Sequence, residues 1–218
     1  YGADVFPPDA LIGKILRSPY AHAQIRKIDT RSAESLRGVK AVLTAKDTPL
    51  IHYGFREGAD PGNERFADKL PLASEKVRFV GEEVAAVAAV DEDTATEALD
   101  RLIVDYDELP VVTSPHEAMK EDAPELHEGI RDNVALEIAM NFGDVDPALA
   151  EADVVAEDEF HTSQVEPVCL ETQGCVAKFD ADGRLTVWTS TQMPFLLRAH
   201  LAKCLDLPET RVRVIRTV

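Results

Sequence analysis

The sequence has few cysteines, few basic residues and no long apolar run, and each shortage excludes a class of protein. Its 218 residues include three cysteines, Cys169, Cys175 and Cys204, and an odd number in a chain of this length argues against a disulfide-held scaffold. No apolar stretch approaches the roughly 20 residues that a membrane-spanning helix needs, and the most apolar one, residues 84–90, is short and rich in alanine. We therefore expect reduced thiols, a cytoplasmic location and no membrane span.

Positive charge is also scarce. The chain carries 23 Lys+Arg against 40 Asp+Glu, a net charge of −17, which argues against a nucleic-acid backbone as the main partner. The negative charge is concentrated in residues 117–159, which hold 14 acidic residues and two basic ones. We interpret this stretch as a solvated surface segment, with a docking face for a basic partner as the alternative.

The short motifs of several common catalytic sites are missing as well. The sequence contains no G-x-S-x-G, no G-x-x-x-x-G-K-[ST] and no G-x-G-x-x-G. Cys169 and Cys175 are six residues apart and Cys204 is distant, which matches no zinc or iron–sulfur spacing. We predict that all three cysteines are buried apolar side chains. With 45% hydrophobic residues the chain can still bury a core.

What the sequence does contain is a series of strand and helix patterns separated by turn residues. Thr30, Asp91 or Asp93, and Asp146 are the expected helix caps, and Asp182-Gly183 is an expected hairpin turn. The predicted strands cover residues 11–17, 23–29, 39–47, 77–90, 103–109, 154–167, two strands within 169–189, and 211–218. The predicted helices cover residues 31–38, 91–102, 147–153 and 195–208.

The order of these elements predicts an α+β fold in three parts. A β-β-α-β unit followed by a strand–helix–strand unit makes residues 1–112 one domain, and the apolar end of 77–90 indicates a strand covered on both faces. Residues 113–143 are acidic and are predicted to be a linker; residues 144–218 begin a second α+β region. In its last helix, Phe195, Ala199, Ala202 and Leu205 are predicted to share one face.

The stretch TVWTSTQMPF, residues 186–195, is the most suggestive for function. A strand ends near Trp188 and a helix begins near Phe195, and ligands of α/β sheets collect at such strand-to-helix loops. The free N–H groups of a helix N-terminus suit oxyanions, and Gln192 adds a donor and an acceptor without charge. The alternative is that Ser190 or Thr191 merely caps the helix and Gln192 is a surface residue.

Four stretches together resemble one family, the molybdenum hydroxylases of the xanthine dehydrogenase and aldehyde oxidase type. GKILRSPYAHAQIRKIDTRSAESLRGVKAVLTAKD and VRFVGEEVAAVAAVDEDTATEALDRLIVDYDELPVV are similar to the α/β-hammerhead domain that opens the molybdenum-bearing subunit. GDVDPALAEADVVAEDEF resembles the passage into the cofactor-binding region. VEPVCLETQGCVAKFDADGRLTVWTSTQMPFLLRAHLAKCLDLPETRVRVI resembles the start of the first molybdopterin-binding domain.

The resemblance implies a role for the opening of the last predicted helix. In the family, the glutamine of the STQ stretch lies beside the molybdenum centre and hydrogen-bonds near its apical oxo ligand, and Gln192 matches it. Thr191 and Met193 would line the same cofactor site. The general-base glutamate and a glycine-rich loop of the family follow later in its sequence, so the resemblance places no catalytic residue within these 218 residues.

The resemblance further implies that the chain is the N-terminal part of a molybdenum subunit of an oxidoreductase, without turnover alone. The cofactor would be molybdenum-molybdopterin in a dinucleotide form, with iron–sulfur clusters and FAD on other domains or subunits. Those parts, the rest of the subunit and a small aromatic, heterocyclic or aldehyde substrate would be its partners; the family's reaction is hydroxylation or, with hydroxybenzoyl-CoA, reduction. The alternative is a non-catalytic assembly module that docks iron–sulfur and flavin subunits.

Overall fold

The computed structural model describes residues 1–54, 68–130, 132–135, 137, 139–140 and 142–217, and it mixes helices with mainly antiparallel sheets. The predicted α+β class is therefore confirmed. The strands are β1 (Ile12–Arg17), β2 (Ala23–Asp29), β3 (Val39–Thr44), β4 (Lys76–Val77), β5 (Glu83–Ala89), β6 (Ile103–Glu108), β7 (Cys175–Phe179), β8 (Leu185–Thr189) and β9 (Val212–Arg216). The α-helices are α1 (Arg31–Glu34), α2 (Glu92–Asp100), α3 (Pro115–Ala118), α4 (Val145–Ala150) and α5 (Pro194–Cys204).

The strands of the first 110 residues form two three-stranded sheets, ordered β1-β5-β3 and β4-β2-β6. Each sheet combines strands from both predicted units: β5 pairs with β1 and β3, and β6 pairs with β2. The two predicted units therefore share both sheets, and the elements themselves form as expected. Alternating patterns specify a strand but not its partner, and here the partners are up to about eighty residues away in sequence.

Strand β5 lies at the centre of its sheet and is buried on both faces, as predicted. Val84 packs with Ala23 and Val77 in one hydrophobic core, while Ala85 and Val87 belong to a second core. Small side chains suit this position because flanking strands and α2 crowd it from both sides. This double burial makes β5 the strand that joins the two cores.

Helix α2 begins where the sequence predicted it, and the structure shows which of the two candidate aspartates caps it. The cap is Asp91, whose carboxylate accepts a hydrogen bond from the Thr94 N–H at 2.7 Å, rather than Asp93. Ala95 and Ala98 are fully buried on the face toward the first sheet. Thr30, in contrast, makes no side-chain cap to α1, so that predicted cap is wrong. The Thr30 hydroxyl instead donates to Glu34.

Strands β7, β8 and β9 form the third sheet, with β7 antiparallel and β9 parallel to β8. Its core consists of Leu185, Val187, Ala202 and Val212. The predicted face of α5 is only partly correct, because Phe195 is 77% exposed. Both buried residues of α5, Ala202 and Cys204, lie in its C-terminal half, while Pro194, Leu196 and Leu197 of the first turn are half-buried.

The cysteines differ from their prediction in two of three cases. The thiols of all three are free, and Cys204 is buried, which raises the pKa of its thiol. Cys169 and Cys175 are exposed. Cys175 begins β7, which is an edge strand with one uncovered side, and Cys169 lies outside any regular element. Burial of a small side chain depends on which elements cover it, which its residue type does not specify.

The acidic stretch after β6 is partly built onto the folded unit that contains the three sheets. The Asn133 side chain connects three points of this stretch. Its NH₂ group donates to the carbonyls of Ala118 and Pro124, and its amide oxygen accepts from the Leu126 N–H at 2.9 Å. Residues 1–134 and 173–218 form this compact unit. The three-part domain division from the sequence stays a prediction.

Residues 135–172 form a second, smaller unit, whose regular element is α4. This helix starts at Val145 with Asp144 at the cap position, so the predicted start at Asp146-Pro147 is displaced by two residues. The strand predicted over residues 154–167 is wrong in this structure: the stretch is without regular structure and exposed throughout. A strand requires a partner for its N–H and C=O groups, and the described residues provide none here.

Among the described residues, no helix combines the length and apolar character needed to cross a membrane.

Gly38 closes the turn between α1 and β3 with φ of +104°, a region that disfavours side chains. A Cβ at this position would lie 3.0 Å from Val90 Cγ2 and 3.1 Å from Thr94 Cγ2. We expect Gly38→Ala to lower the free energy of unfolding by about 1–2 kcal/mol. Denaturant titration measures it, and Gly174→Ala is the control because nothing lies within 4 Å of a Cβ there. Equal stability of the two variants would contradict this assignment.

Candidate functional site

The loop singled out from the sequence lies at the carboxyl edge of a parallel strand pair. Because β8 and β9 are parallel, their carboxyl ends, Thr189 and Arg216, are paired neighbours at one edge of the sheet. The Thr217 N–H continues this pairing by donating to the Thr189 carbonyl at 3.1 Å. Residues 190–193 leave this edge and lead into α5. The predicted strand–loop–helix arrangement is thus present.

The sequence left open whether a hydroxyl caps α5, and the structure shows that the N-terminus of this helix is uncapped. Met193 is at the cap position, Pro194 is the first helical residue, and no side chain caps the helix. The Thr191 hydroxyl accepts a hydrogen bond from the Met193 N–H at 3.1 Å, which closes the turn before the helix rather than the helix itself. The first-turn N–H groups therefore keep the donor capacity and partial positive charge of a helix N-terminus.

The three residues assigned to the cofactor by resemblance lie together in this loop. Thr191 is half-buried, Gln192 is exposed, and Met193 is 43% exposed. The Gln192 amide makes no hydrogen bond to the described residues, so both its NH₂ donor and its oxygen acceptor are available. The structure brings the three residues to one surface, and their role toward a cofactor stays a prediction.

A fourth polar group at this edge was not identified from the sequence. Thr217 is 9% exposed, and its hydroxyl oxygen is buried without a hydrogen-bond partner among the described residues. A buried hydroxyl without a partner is unfavourable, so Thr217 marks an unmet hydrogen-bond requirement beside Thr189. The available signal was that LTVWT and RVRVIRT both end in threonine; the parallel pairing that makes these ends neighbours is not visible in sequence.

The chemistry of this donor set fits a molybdopterin group. An amide, hydroxyls and free helix N–H groups donate to oxygen acceptors such as oxo ligands and phosphates without contributing charge. None of Thr191, Gln192 and Met193 offers a thiolate, imidazole or carboxylate, and the Met193 thioether is a ligand for soft metals such as Cu(I) only. Such residues would therefore hold the group by hydrogen bonds and packing rather than by a bond to its metal.

A second polar region is a cleft of about 580 Å³ beside β4, lined among others by Asp68, Arg78 and Glu82. Several of its charged groups have partners within the protein. Asp68 lies 3.5 Å from His127 Nδ1, and Arg78 Nε donates to the Leu126 carbonyl at 3.0 Å. Burial lowers the pKa of His127 despite the nearby Asp68 carboxylate. These contacts fasten residues 126–127 to the β4 region, which is a structural role.

Thr217 allows a stability test of the unmet hydrogen bond. We expect Thr217→Val to leave the free energy of unfolding of the 218-residue chain unchanged or to raise it by up to about 1 kcal/mol, because a valine of similar shape needs no partner. Thr189→Val is the matched control: the Thr189 hydroxyl donates to the Gly174 carbonyl at 3.1 Å, so its loss should cost about 1 kcal/mol. A large loss with Thr217→Val would show that its hydroxyl is already bonded.

The surroundings of Glu82 and Glu83 shift the pKa values of these two neighbouring carboxyl groups in opposite directions. Burial raises the pKa of Glu82, even though its carboxylate accepts the Arg78 N–H at 2.5 Å. Because the folded pKa exceeds the unfolded value of about 4.3, ionisation of Glu82 weakens the fold, and stability falls as pH rises above that value. Burial by itself raises the pKa of Glu83. Hydrogen bonds from the backbone and from Arg17 at 2.7 Å outweigh burial, so the pKa of Glu83 is lowered.

We therefore expect Glu82→Gln to be at least as stable as the original chain at pH 7, with the difference disappearing near pH 4. Glu83→Gln should lose stability at pH 7 and converge with the original chain as pH falls through the lowered folded pKa. Thermal unfolding from pH 3 to 8 measures both curves. Parallel curves for the two variants would show that these environments are wrongly assigned.

Comparison with known proteins assigns the N-terminal part of the chain and the part that contains the candidate site to one family. Residues 1–110 match the family model described as aldehyde oxidase and xanthine dehydrogenase, a/b hammerhead domain. Residues 126–217 match the molybdopterin cofactor-binding domain. The second match contains the loop of Thr191, Gln192 and Met193.

Individual relatives agree with these matches. The chain is 39% identical over 232 residues to the carbon monoxide dehydrogenase large chain of Afipia carboxidovorans, covering 99% of this chain and 28% of that protein. It is 36% identical over 219 residues to a probable xanthine dehydrogenase subunit of Bacillus subtilis, with the same coverage of 99% and 28%. The chain therefore spans less than a third of the length of these relatives.

The fold agrees as well. A structure of the aldehyde oxidoreductase from Desulfovibrio gigas superposes with a TM-score of 0.90 at 29% sequence identity, covering 100% of this chain and 24% of that one. Both the sequence resemblance and the expected hammerhead fold are thereby confirmed. With a family model that extends over half of its residues, the chain belongs to the aldehyde oxidase and xanthine dehydrogenase family.

Proposed function

We propose that this chain supplies one side of a molybdopterin site in a molybdenum-dependent oxidoreductase. The observation that carries the proposal is the position of Gln192: its uncharged amide is exposed at the carboxyl edge of β8, beside the uncapped N-terminus of α5. This edge lies within the residues that match the molybdopterin cofactor-binding domain. When bound, the cofactor supplies the redox chemistry, and the protein supplies binding and orientation.

Each loop residue has a distinct part in this proposal. The Gln192 NH₂ group would donate a hydrogen bond to an oxygen atom of the bound cofactor. Thr191 holds the loop by accepting the Met193 N–H, and its own O–H remains available to donate. The Met193 thioether would pack against the cofactor as an adaptable apolar surface. None of these three side chains is a general acid or base at neutral pH, so proton transfer would be carried by other residues.

The proposed reaction is hydroxylation or reduction of a small aromatic, heterocyclic or aldehyde substrate by the complete protein. Support comes from relatives named for such activities, including a nicotinate dehydrogenase large molybdopterin subunit of Eubacterium barkeri that is 34% identical to the chain. We propose further that the cofactor is a dinucleotide form, and that iron–sulfur and flavin groups on other domains or subunits receive the two electrons released by a hydroxylation and supply the two electrons consumed by a reduction. Because the chain is 28% of its relatives' length, turnover by the chain alone is not expected.

The alternative, a non-catalytic docking module built on acidic residues 117–159, has less support. The molybdopterin cofactor-binding match starts at residue 126 and continues through most of that stretch. In addition, Arg78 Nε donates a hydrogen bond to the Leu126 carbonyl and holds part of the stretch against the β4 region. The acidic stretch therefore belongs to the cofactor-binding part rather than to a separate docking tail.

The test begins with molybdenum and released-pterin analysis of the complete natural protein that contains this chain. We expect about one molybdenum atom and one pterin per chain, because the proposal gives each chain one cofactor site. Gln192→Ala should weaken pterin retention roughly fivefold, the equivalent of one hydrogen bond of about 1 kcal/mol, and leave thermal stability unchanged. Gln24→Ala is the matched control, because Gln24 lies on β2 in the hammerhead part.

Molybdenum missing from a correctly assembled preparation would overturn the proposed function. Equal pterin retention by the Gln192→Ala and Gln24→Ala proteins would remove Gln192 from the site while leaving the function in place. A large stability loss with full pterin retention would show that Gln192 acts in the fold instead.

A further inference from the structure

Helix α5 is enclosed between the third sheet and a tyrosine from the hammerhead part. On one side, Ala202 packs with Leu185 and Val187 of β8. On the other side, the centroid of the Tyr53 ring lies 5.7 Å from that of the His200 ring, with the two planes tilted by 54°. Such a tilted arrangement is favourable for aromatic rings. At 3.6 residues per turn, His200 and Ala202 are about 160° apart around the helix axis, so the two contacts hold opposite sides of α5.

The contact with the hammerhead part extends over one turn of α5. His200 and Cys204 are four residues apart and therefore share one face of the helix. Burial raises the pKa of Tyr53, and the Glu83 carboxylate and the Cys204 thiol raise it further, which places both groups near the Tyr53 hydroxyl. The His200 ring also hydrogen-bonds to the Gly54 backbone. Two adjacent residues of the hammerhead part thus hold this face of the helix.

The backbone of Tyr53 is fixed by contacts that do not involve α5. Its N–H donates to the Lys69 carbonyl at 2.9 Å, and the Lys69 N–H donates to the Tyr53 carbonyl at 3.2 Å. The Lys69 ammonium in turn lies 4.9 Å from the centroid of the Phe79 ring, within the range of a cation–π contact. Because these contacts attach Tyr53 to the region that follows β4, the tyrosine is a fixed point against which α5 packs.

The opposite end of the same helix carries the candidate site. Met193 occupies the cap position of α5, and Gln192 directly precedes it. His200 is about two helical turns from Met193. A hydrogen-bonded helix of this length moves as a unit, so a shift at His200 displaces the loop as well. A displacement of about 1 Å is enough to spoil the geometry of a binding group.

We propose that Tyr53 is a positioning residue for the candidate cofactor site. It holds the face of α5 that contains His200, and this contact fixes the helix whose N-terminus presents Gln192. Ala202 is a small side chain, and its contact with the sheet leaves the helix free to roll unless the opposite face is held as well. Tyr53 acts through His200 and the helix rather than on the cofactor itself. The inference rests on the proposed function, because it assigns Gln192 to the cofactor.

Hydrogen–deuterium exchange of the complete natural protein tests the contact between Tyr53 and α5. We expect Tyr53→Ala to make the α5 amides exchange about fivefold faster, in keeping with the loss of one aromatic contact. Tyr53→Phe retains the ring and should leave the exchange unchanged. Tyr20→Ala is the matched control: the Tyr20 and Tyr106 rings pack with centroids 5.1 Å apart in the hammerhead core, away from α5. It should leave the exchange of α5 unchanged.

Pterin retention by the same proteins tests whether this contact positions Gln192. We expect Tyr53→Ala to weaken retention roughly threefold when Gln192 is present, and to have no further effect in a Gln192→Ala protein, because the two residues act in series. Tyr53→Phe should retain the pterin as the original protein does. Tyr20→Ala should also leave retention unchanged, even where it lowers the overall stability. If Tyr53→Ala prevents folding, Tyr53→Leu provides a milder version of both tests.

Unchanged exchange of α5 in the Tyr53→Ala protein would overturn the proposal. Faster exchange with full pterin retention, or additive losses from Tyr53→Ala and Gln192→Ala, would show that Tyr53 supports only the fold, which also overturns it. Molybdenum missing from the assembled protein would overturn the proposed function and this inference together. The exchange measurement does not depend on molybdenum content, so a failure of the positioning role alone is distinguishable from a failure of the proposed function.

Discussion

The parallel pairing of β8 with β9 is the interaction on which the candidate site depends. It is stabilised by Leu185 and Val187 on β8 and Val212 on β9, which pack against Ala202 of α5. Because the two strands run in the same direction, the chain must cross back through α5, and both strand ends meet at one edge. The turn of Thr191 and the amide of Gln192 are placed there as a consequence. Loss of this pairing would separate Thr217 from the loop of Thr191, Gln192 and Met193.

The hammerhead part depends on a comparable non-local arrangement around β5. Val84 faces one core and Val87 the other, so the strands that enclose β5 from both sides come from distant parts of the sequence. The acidic stretch that follows is ordered by polar contacts instead, above all by the Asn133 amide with its three backbone partners inside the stretch. The hydrogen bond from Arg78 Nε to the Leu126 carbonyl connects the stretch to the region of β4.

Some polar and apolar groups lack, among the described residues, the partners that such groups usually have. The buried Thr217 hydroxyl without a partner among the described residues and the uncapped N-terminus of α5 lie at the carboxyl edge of one sheet. The side chains of Val154 and Phe160 are exposed in a separate unit. A buried hydroxyl without a hydrogen bond is unfavourable, which makes the carboxyl edge the part of the described structure that is best suited to accept a polar ligand.

The sequence by itself determined the local elements and the family. Asp91 capped α2 as one of two candidates, Gly183 has the positive φ of the expected hairpin turn, and the STQ stretch begins the expected loop. These features depend on neighbouring residues, whose patterns a sequence contains. Tertiary structure alone decided the partners of β5, the exposure of Phe195 and Cys175, the isolation of Thr217 and the missing strand at 154–167. Each of these features depends on which distant residues pair with a strand or cover a side chain. The local alternation of apolar and polar residues does not specify those distant residues.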